Sequence, residues 1–253
     1  EEKMKTSTRI LATASAAAMM LSLAACGNNN NTDPSNAGSD SGAQHYTVGI
    51  CQYVQHPALD QATEGFKAAL TDMLGEGNVE FTEQNANGDS PTCATIINGF
   101  VSSNVDLILA CCHWGIEKDT YPENYQQVLG RKCIDWGVDL VIGHHPHVLQ
   151  GIEEYKGRYI IYSLANFCFG ANRNPADKDT MIFQQTFTFE NGQKVEDRNA
   201  RIIPCMVSSV STRNDFKPTP AAGEDKKRIL QRMNEYSRDF GVEFDENGGI
   251  LVN

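Results

Sequence analysis

Histidines at the ends of two predicted strands are the residues best suited to chemistry in this chain. His113 follows the apolar run at residues 105–110, and His145 and His147 follow the run at residues 139–142. Open α/β sheets place their ligands at the carboxyl ends of strands. Neutral imidazoles that converge from two such ends suit Mn²⁺, Fe or Zn²⁺. We therefore predict a divalent metal bound by His113, His145 and His147.

The spacing within the second histidine group supports this prediction. In an extended loop, residues i and i+2 point to the same side, so His145 and His147 can face one ion. Pro146 between them fixes the backbone and lowers the entropy lost on ligation. The alternative is a set of hydrogen-bonded loop histidines. A lone histidine would favour that alternative, whereas a His-x-His pair beside a third histidine favours a metal.

Hydrophobic patterning predicts the elements that position these residues. The first half alternates strands and helices, which indicates parallel strands with crossover helices: residues 46–54, 57–74, 79–82, 91–100 and 105–110. The second half begins with a helix and a short buried strand, continues with antiparallel strands and ends in a charged amphipathic helix: residues 122–136, 139–142, 158–164, 181–189, 200–207 and 224–240. We place Gly192 in a hairpin turn. We expect strand 105–110 beside strand 139–142, because neighbours in a βαβ unit usually pair.

Several motifs of the second half occur together in one family. They are His113-Trp114-Gly115-Ile116-Glu117, the stretch at residues 139–153, Tyr162-Ser163-Leu164-Ala165-Asn166-Phe167 and Pro218-Thr219-Pro220. Residues 111–250 thereby resemble the CapA family of capsule and poly-γ-glutamate biosynthesis proteins, which have a calcineurin-like metallophosphatase fold.

This resemblance implies roles for individual residues. His113 matches the single histidine after a core strand, and His145 and His147 match the family's His-x-His ligands. If the protein is a phosphoesterase-type hydrolase, His113 and Glu117 are the predicted catalytic residues; the alternative for Glu117 is a group that contacts substrate or orients a ligating imidazole. His144 and Asn166 are predicted to lie beside the metal or the substrate, where a polar group can orient a ligating imidazole.

The first half departs from the family. The family supplies aspartate motifs and an Asn-His-x-x-Asp stretch there, and none of these occurs before residue 110. The carboxylate that would bridge two metals about 3.5–4 Å apart is therefore missing. Residues 4–110 instead resemble a lipoprotein component of an ABC transporter that binds small amino-acid-like solutes. The matching stretches are Tyr46-Thr47-Val48-Gly49-Ile50-Cys51-Gln52, Glu64-Gly65-Phe66 and residues 105–110.

The N-terminus is typical of an exported protein. Lys5 and Arg9 precede an apolar stretch at residues 10–23, and Leu23-Ala24-Ala25-Cys26-Gly27 resembles a bacterial lipobox. We predict a signal peptide at residues 1–26, lipidation at Cys26, and a membrane-anchored protein outside the cytoplasm. The alternative is an ordinary secretory signal with an incidental cysteine. The polar stretch at residues 27–45 is predicted to be a flexible tether.

Composition narrows the possible partners. The formal net charge of −11 disfavours nucleic acid and anionic membrane faces as partners. Seven cysteines follow Cys26 without a Cys-x-x-Cys pair, which predicts buried thiols rather than a zinc knuckle.

The predicted fold class is α/β, in two segments. A β-α-β-α-β half-lobe of the periplasmic-binding-protein type at residues 46–110 joins a CapA-like metallophosphatase segment at residues 111–253. Three functions stay open at this point. They are a CapA-like surface protein that works with the capsule or poly-γ-glutamate synthesis machinery, a solute-binding lipoprotein, and an inactive hybrid remnant.

Overall fold

The computed structural model describes residues 7–14, 45–170, 172–195 and 199–251 of the chain. Its helices are α1 (Pro57–Leu74), α2 (Ser90–Ser102), α3 (Asn124–Trp136) and α4 (Gly223–Ser237), and a 3-10 helix (Arg238–Phe240) follows α4. Its strands are β1 (Ser7–Ala14), β2 (Tyr46–Gln52), β3 (Val79–Asn85), β4 (Leu107–His113), β5 (Leu140–His144), β6 (Ile152–Tyr155), β7 (Arg158–Ile161), β8 (Asp179–Glu190), β9 (Gln193–Val195), β10 (Ala200–Met206), β11 (Thr219–Pro220), β12 (Glu243–Phe244) and β13 (Ile250–Leu251).

The central sheet has the order β3-β2-β4-β5-β7-β6. Five neighbouring strands of this sheet run parallel, namely β3, β2, β4, β5 and β7. The last strand, β6, is antiparallel to β7. The predicted neighbourhood of the third and fourth strands is confirmed, because β4 pairs with β5 from Leu109–Leu140 to His113–His144. Both histidine-bearing strand ends therefore lie at the same edge of one sheet.

Each face of this sheet carries its own core. On β4, Leu107 and Leu109 belong to one hydrophobic cluster, whereas Ile108 and Cys112 belong to the other. This alternation is the period of two that strand geometry imposes. Helices α2 and α3 cover one face with residues that include Ile97, Phe100, Leu129 and Ile134.

A second sheet, β1-β8-β10-β11 with β9 also paired to β8, covers the other face. Phe183 on β8 and Ile202 on β10 share a cluster with Leu109 and Leu140 of the central sheet. Helix α4 adds Met233 to the same cluster. The fold is therefore a mixed α/β arrangement of two layered sheets with helices outside, in agreement with the predicted fold class.

The two sequence segments form one continuous sheet. Strand β4 spans residues 110–112, where the two resemblances meet, and it pairs with β2 on one side and β5 on the other. It begins at Leu107 rather than at residue 105. The Asp106 carboxylate accepts hydrogen bonds from the Thr47 backbone nitrogen at 2.7 Å and from its hydroxyl at 2.8 Å. These bonds hold Asp106 in the loop.

Other element boundaries differ in detail from the predicted ones. Helix α3 starts at Asn124 instead of residue 122, because Glu123 and Gln126 form a capping box. The short strand β6 was not predicted. Gly192 lies in the turn between β8 and β9, as expected, with a positive φ of 76°.

The N-terminal segment is described only in part. Residues 7–14 form β1, which pairs antiparallel with β8 from Ser7–Glu190 to Ala14–Phe183. Eight residues of the predicted signal peptide thus lie in an edge strand. Cys26 and residues 27–44 of the predicted tether lie outside the described residues. Within the described ranges, no helix has the length and apolar character needed to cross a membrane.

Candidate metal centre

Three side chains come together at the carboxyl edge of the central sheet. The ligand atoms of Glu117, His145 and His147 all lie within 4.8 Å of one another. Two imidazole nitrogens and a carboxylate oxygen are a donor set that suits Zn²⁺, Mn²⁺ or Fe. Across the described residues, this is the group of three that can hold a metal ion. The donor chemistry fits the predicted cofactor.

Left-handed backbone brings the two histidines of this group together. His145 has a φ of 100° and His147 a φ of 61°, and both are values that favour glycine. The prediction of an extended loop is therefore wrong, because the chain turns back on itself on both sides of Pro146. Such backbone costs about 1–3 kcal/mol per residue and persists only where surrounding contacts hold it.

Asn166 fixes the tautomer of His147. Its side-chain nitrogen donates to the His147 carbonyl over 3.2 Å, so its oxygen faces His147 Nδ1 at 2.7 Å. Nδ1 must then carry the hydrogen, which leaves the lone pair of Nε2 free for a metal. Asn166 thus lies beside His147, a candidate ligand, and the preceding Ala165 has a φ of 63°.

Backbone hydrogen bonds bring Glu117 to the histidines. Its exposed side chain lies in the loop after β4, and the next residue, Lys118, donates its backbone N–H to the Pro146 carbonyl over 2.8 Å. The Trp114 N–H donates to the His144 carbonyl over 3.1 Å. These two bonds, one before and one after Glu117, attach the loop after β4 to the loop after β5.

Two buried amide side chains hold the loop after β4 in place. Gln126 on α3 and Gln150 are both fully buried, and they are joined by a hydrogen bond of 3.1 Å. Gln150 also donates to the carbonyl of Asp119 over 2.9 Å. A buried amide without partners would be costly, so this network holds the loop in one position.

A glycine lets β5 approach its neighbour closely. A Cβ at Gly143 would lie 2.1 Å from the Tyr162 carbonyl oxygen and 2.7 Å from that of Ile161. The indole of Trp114 donates to the same Tyr162 carbonyl over 2.9 Å. The backbone beneath the histidine loop is therefore packed without room for a side chain.

His113 lies next to this group but outside it. It ends β4, and its ring centroid lies 4.5 Å from that of His145. Burial, with His56 and the other histidines nearby, lowers the pKa of His113 to about 4. Burial likewise lowers the pKa of His144 to about 4. Both imidazoles are therefore neutral at neutral pH.

His56 is a neighbour that the sequence analysis missed. Its ring stacks on His113 with centroids 4.2 Å apart and planes 14° apart. Its Nδ1 also accepts the Ala58 backbone N–H at the start of α1. The position of His56 in the loop after β2 was a usable signal, because β2 pairs with β4 and ends at the same sheet edge.

A cleft of about 940 Å³ opens beside the candidate metal centre. Glu117, His147 and Asn166 line one side. The lining also carries ion pairs between α4 and the segment that leads into β8, in which Arg232 Nη2 lies 2.6 Å from Asp177 and Arg228 Nη2 lies 2.7 Å from Asp179. The cleft thus brings His147 together with a charged wall, whose residues include Asp177, Lys178, Asp179, Arg228 and Arg232.

Ion pairing controls the charge of this wall. Burial acts to raise the pKa of Asp177, but hydrogen bonds from Arg232 and from the Asp179 backbone outweigh it and lower the pKa. The same carboxylate raises the pKa of Arg232. Both groups are therefore charged throughout the physiological range.

Comparison with known proteins places the chain in context. It is 35% identical over 130 residues to the capsule biosynthesis protein CapA of Bacillus anthracis, a match that covers 51% of this chain and 29% of that protein. It is 40% identical over 111 residues to the PGA biosynthesis protein CapA of Bacillus subtilis (strain 168), a match that covers 43% of this chain and 28% of that protein. The matched region thus spans less than a third of either relative.

A different protein resembles a shorter stretch. A tyrosine-binding protein of Clostridioides difficile is 40% identical over 84 residues, covering 31% of this chain and 24% of that protein. Solved substrate-binding proteins align with TM-scores of only 0.27–0.30, which are too low to support a structural argument.

The family described as "Bacterial capsule synthesis protein PGA_cap" matches residues 8–171, which is more than half of the chain. This match includes β4, β5 and the loops that carry Glu117 and the histidines. The chain belongs to the PGA_cap family of bacterial capsule synthesis proteins.

Proposed function

We propose that Glu117, His145 and His147 bind one divalent metal and that the protein uses this centre in the synthesis of an anionic capsule polymer. The approach of these three side chains to within 4.8 Å of one another is the observation that carries the proposal. A divalent metal bound there would supply Lewis-acid chemistry toward a phosphoryl or carbonyl oxygen. Manganese, iron and zinc all suit the donor set.

Each neighbouring residue has a task in this proposal. Asn166 holds the proton of His147 on Nδ1 and so keeps Nε2 available. His113, neutral because its pKa is lowered to about 4, is suited to donate a hydrogen bond to a leaving oxygen. His144 supports the loop through its carbonyl, which accepts from Trp114. This arrangement suits a phosphoesterase-type hydrolase.

The cleft supports an anionic substrate. Lys118, Lys178, Arg228 and Arg232 line it together with Asp177 and Asp179, so cationic groups face the cavity beside the ion pairs. The relatives named for capsule and PGA biosynthesis suggest a polymer of this charge. We propose the capsule or poly-γ-glutamate synthesis machinery as the partner and lipidation at Cys26 as the anchor outside the cytoplasm.

A second candidate function is solute binding, favoured by the match to a tyrosine-binding protein. That match leaves the cleft unexplained. Among the described residues, the lining of the 940 Å³ cleft includes none from residues 46–110. A small amino-acid ligand would therefore need a different site, and an amino-acid titration followed by calorimetry separates the two functions.

Metal content is the test of the main proposal. The full chain is incubated with Mn²⁺, Fe²⁺ or Zn²⁺, desalted and subjected to elemental analysis beside the His145→Ala/His147→Ala double variant. We expect close to one metal per chain in the parent protein and none in the variant. His45→Ala is the matched control, because His45 is exposed and lies at the start of β2, away from the group.

The opposite result has a clear meaning. If the parent chain binds none of the three metals, or if the double variant retains them, the proposed centre does not exist. The inactive hybrid remnant would then be the better description of the chain.

A further inference from the structure

Four buried cysteines share the core on the helical face of the central sheet. Cys51, Cys93, Cys112 and Cys133 are each at most 1% exposed, and all belong to one hydrophobic cluster. They lie on four different elements, β2, α2, β4 and α3. A buried thiol ordinarily acts as a small hydrophobic group. Two of these sulfurs touch, which places a pair of thiols side by side in the core.

Cys51 and Cys93 are in direct contact through their sulfur atoms, which lie 3.6 Å apart. Cys51 is on β2, and Cys93 is in the first turn of α2, where its N–H donates to the Asp89 carbonyl over 2.9 Å. A disulfide has an S–S distance of about 2.05 Å. Forming the bond would therefore require the two sulfurs to move roughly 1.5 Å closer together.

The hydrogen bonds within the cluster distinguish the two sulfurs. Contacts with the thiols of Cys133 and Cys51 lower the pKa of Cys93 against the effect of burial. The bond to Cys93 raises the pKa of Cys51. The thiolate, which is the nucleophilic form, therefore resides preferentially on Cys93.

We propose that Cys93 and Cys51 form an oxidation site at which hydrogen peroxide converts the thiol pair into a disulfide. Peroxide is small enough to reach a buried sulfur during local opening, whereas a protein oxidant is not. The Cys93 thiolate attacks one peroxide oxygen, so that an S–O bond forms, the O–O bond breaks, and the departing hydroxide takes up the proton that the Cys93 thiol had released, giving water. Cys93 is then a sulfenic acid.

Cys51 completes the reaction. Its sulfur attacks the Cys93 sulfur, the S–S bond forms, the S–O bond breaks, and hydroxide leaves with the Cys51 proton as a second water. Two thiols lose two electrons in all, and one peroxide is reduced to two waters. The product links β2 to α2 across 42 positions of sequence. Closing a loop of that length restricts the unfolded chain and stabilises the fold.

The test is a disulfide map of the full chain. Cys26→Ser/Cys168→Ser is the background, because Cys168 is exposed and would react first. The protein is treated with hydrogen peroxide, free thiols are alkylated, and peptides are analysed without reduction. We expect a peptide pair joined through Cys51 and Cys93, and a rise in Tm of roughly 5 °C that a reductant reverses.

Matched variants make the assignment specific. Cys93→Ala should abolish the link and the rise in Tm, whereas Cys112→Ala should retain both. A link between Cys93 and Cys133 would overturn the assignment of Cys51, and peroxide-treated protein without any internal link would overturn the oxidation site. The disulfide map is made on protein that retains all four buried cysteines. It therefore decides the proposal even if Cys93→Ala or Cys112→Ala fails to fold.

Discussion

Two halves of the carboxyl edge of the central sheet differ in what their loops hold. The carboxyl ends of β4 and β5 carry the candidate metal centre, with imidazoles and Glu117 within ligand distance of one another. The carboxyl ends of β2 and β3 carry amides. Gln52 donates to Asp60 over 3.2 Å and accepts from Asn85 over 3.2 Å.

The carboxylates near β2 and β3 have structural tasks. Asp89 accepts from the Thr92 N–H over 2.8 Å and caps α2, Asp60 accepts from Gln52, and Asp106 holds the start of β4 through Thr47. Parallel strands therefore bring loops together at one edge of the sheet without creating a site. The candidate ligands meet where tertiary contacts hold a loop in an otherwise unfavourable shape, as they do after β5.

The largest expected effect concerns two glycines on strands of the same sheet. Gly143→Ala should lower the free energy of unfolding by roughly 3 kcal/mol, because its Cβ would meet backbone carbonyls. Gly49→Ala on β2 should cost less, about 2 kcal/mol, because its Cβ would meet the Phe100 side chain rather than backbone carbonyls. Urea unfolding followed by tryptophan fluorescence measures both. Equal losses would show that the two halves are equally constrained.

The second prediction compares two asparagines. Asn166→Ala should weaken Mn²⁺ or Zn²⁺ binding by roughly 10–100-fold, because His147 loses the partner that fixes its tautomer. Asn85→Ala, in the amide-bearing half, should leave metal affinity unchanged. Isothermal titration calorimetry measures the metal affinity of each full-length variant. A loss of affinity in both variants would point to general loosening of the sheet edge.

The third prediction concerns pH in metal-free protein. His113 and His144 have pKa values lowered to about 4, below the ordinary value of 6.5, so the unfolded chain binds more protons than the folded one. Their contribution to stability is therefore present above pH 6.5 and is lost as the pH falls toward 4. We expect a loss of about 2 kcal/mol between pH 7 and pH 5.

A variant assigns that pH dependence. His144→Gln should reduce the slope of the unfolding free energy against pH, because it removes one of the two imidazoles with a lowered pKa. Chemical unfolding at several pH values in the presence of a chelator is the measurement. An unchanged slope in His144→Gln would mean that this imidazole does not titrate differently in the two states.

The smallest effect is expected at His56. His56→Ala removes the ring on His113 and the acceptor for the Ala58 N–H, and should destabilise the protein by about 1 kcal/mol or less. Metal content by elemental analysis should stay the same, since His56 is outside the group of three ligands. Loss of metal in this variant would extend the centre to the loop after β2.

Much of the scaffold could be predicted from the sequence. Hydrophobic runs and proline positions predicted the start of α1 at Pro57, and the βαβ rule predicted the pairing of β4 with β5. The expected position of His113 at a strand end followed from the same pattern. These features depend on local periodicity and chain connectivity, which the sequence carries directly.

The geometry of the candidate metal centre was less predictable. Spacing suggested an extended loop at His145 and His147, yet both residues have positive φ, which depends on contacts made elsewhere in the fold. Glu117 lies near the histidines because the backbone N–H of the next residue, Lys118, donates to the Pro146 carbonyl. No sequence motif indicates that these two residues are bonded. Tertiary hydrogen bonds of this kind leave no local signature.

The left-handed histidines have a consequence for how this protein responds to selection. Glycine at position 145 or 147 would relax the backbone and stabilise the fold, yet it would remove an imidazole. A screen for thermal resistance alone should therefore enrich substitutions in this loop and discard the centre, whereas a screen that also demands metal retention should keep both histidines and find its gains elsewhere. In the loop after β5, higher stability and retention of the candidate metal ligands therefore oppose each other.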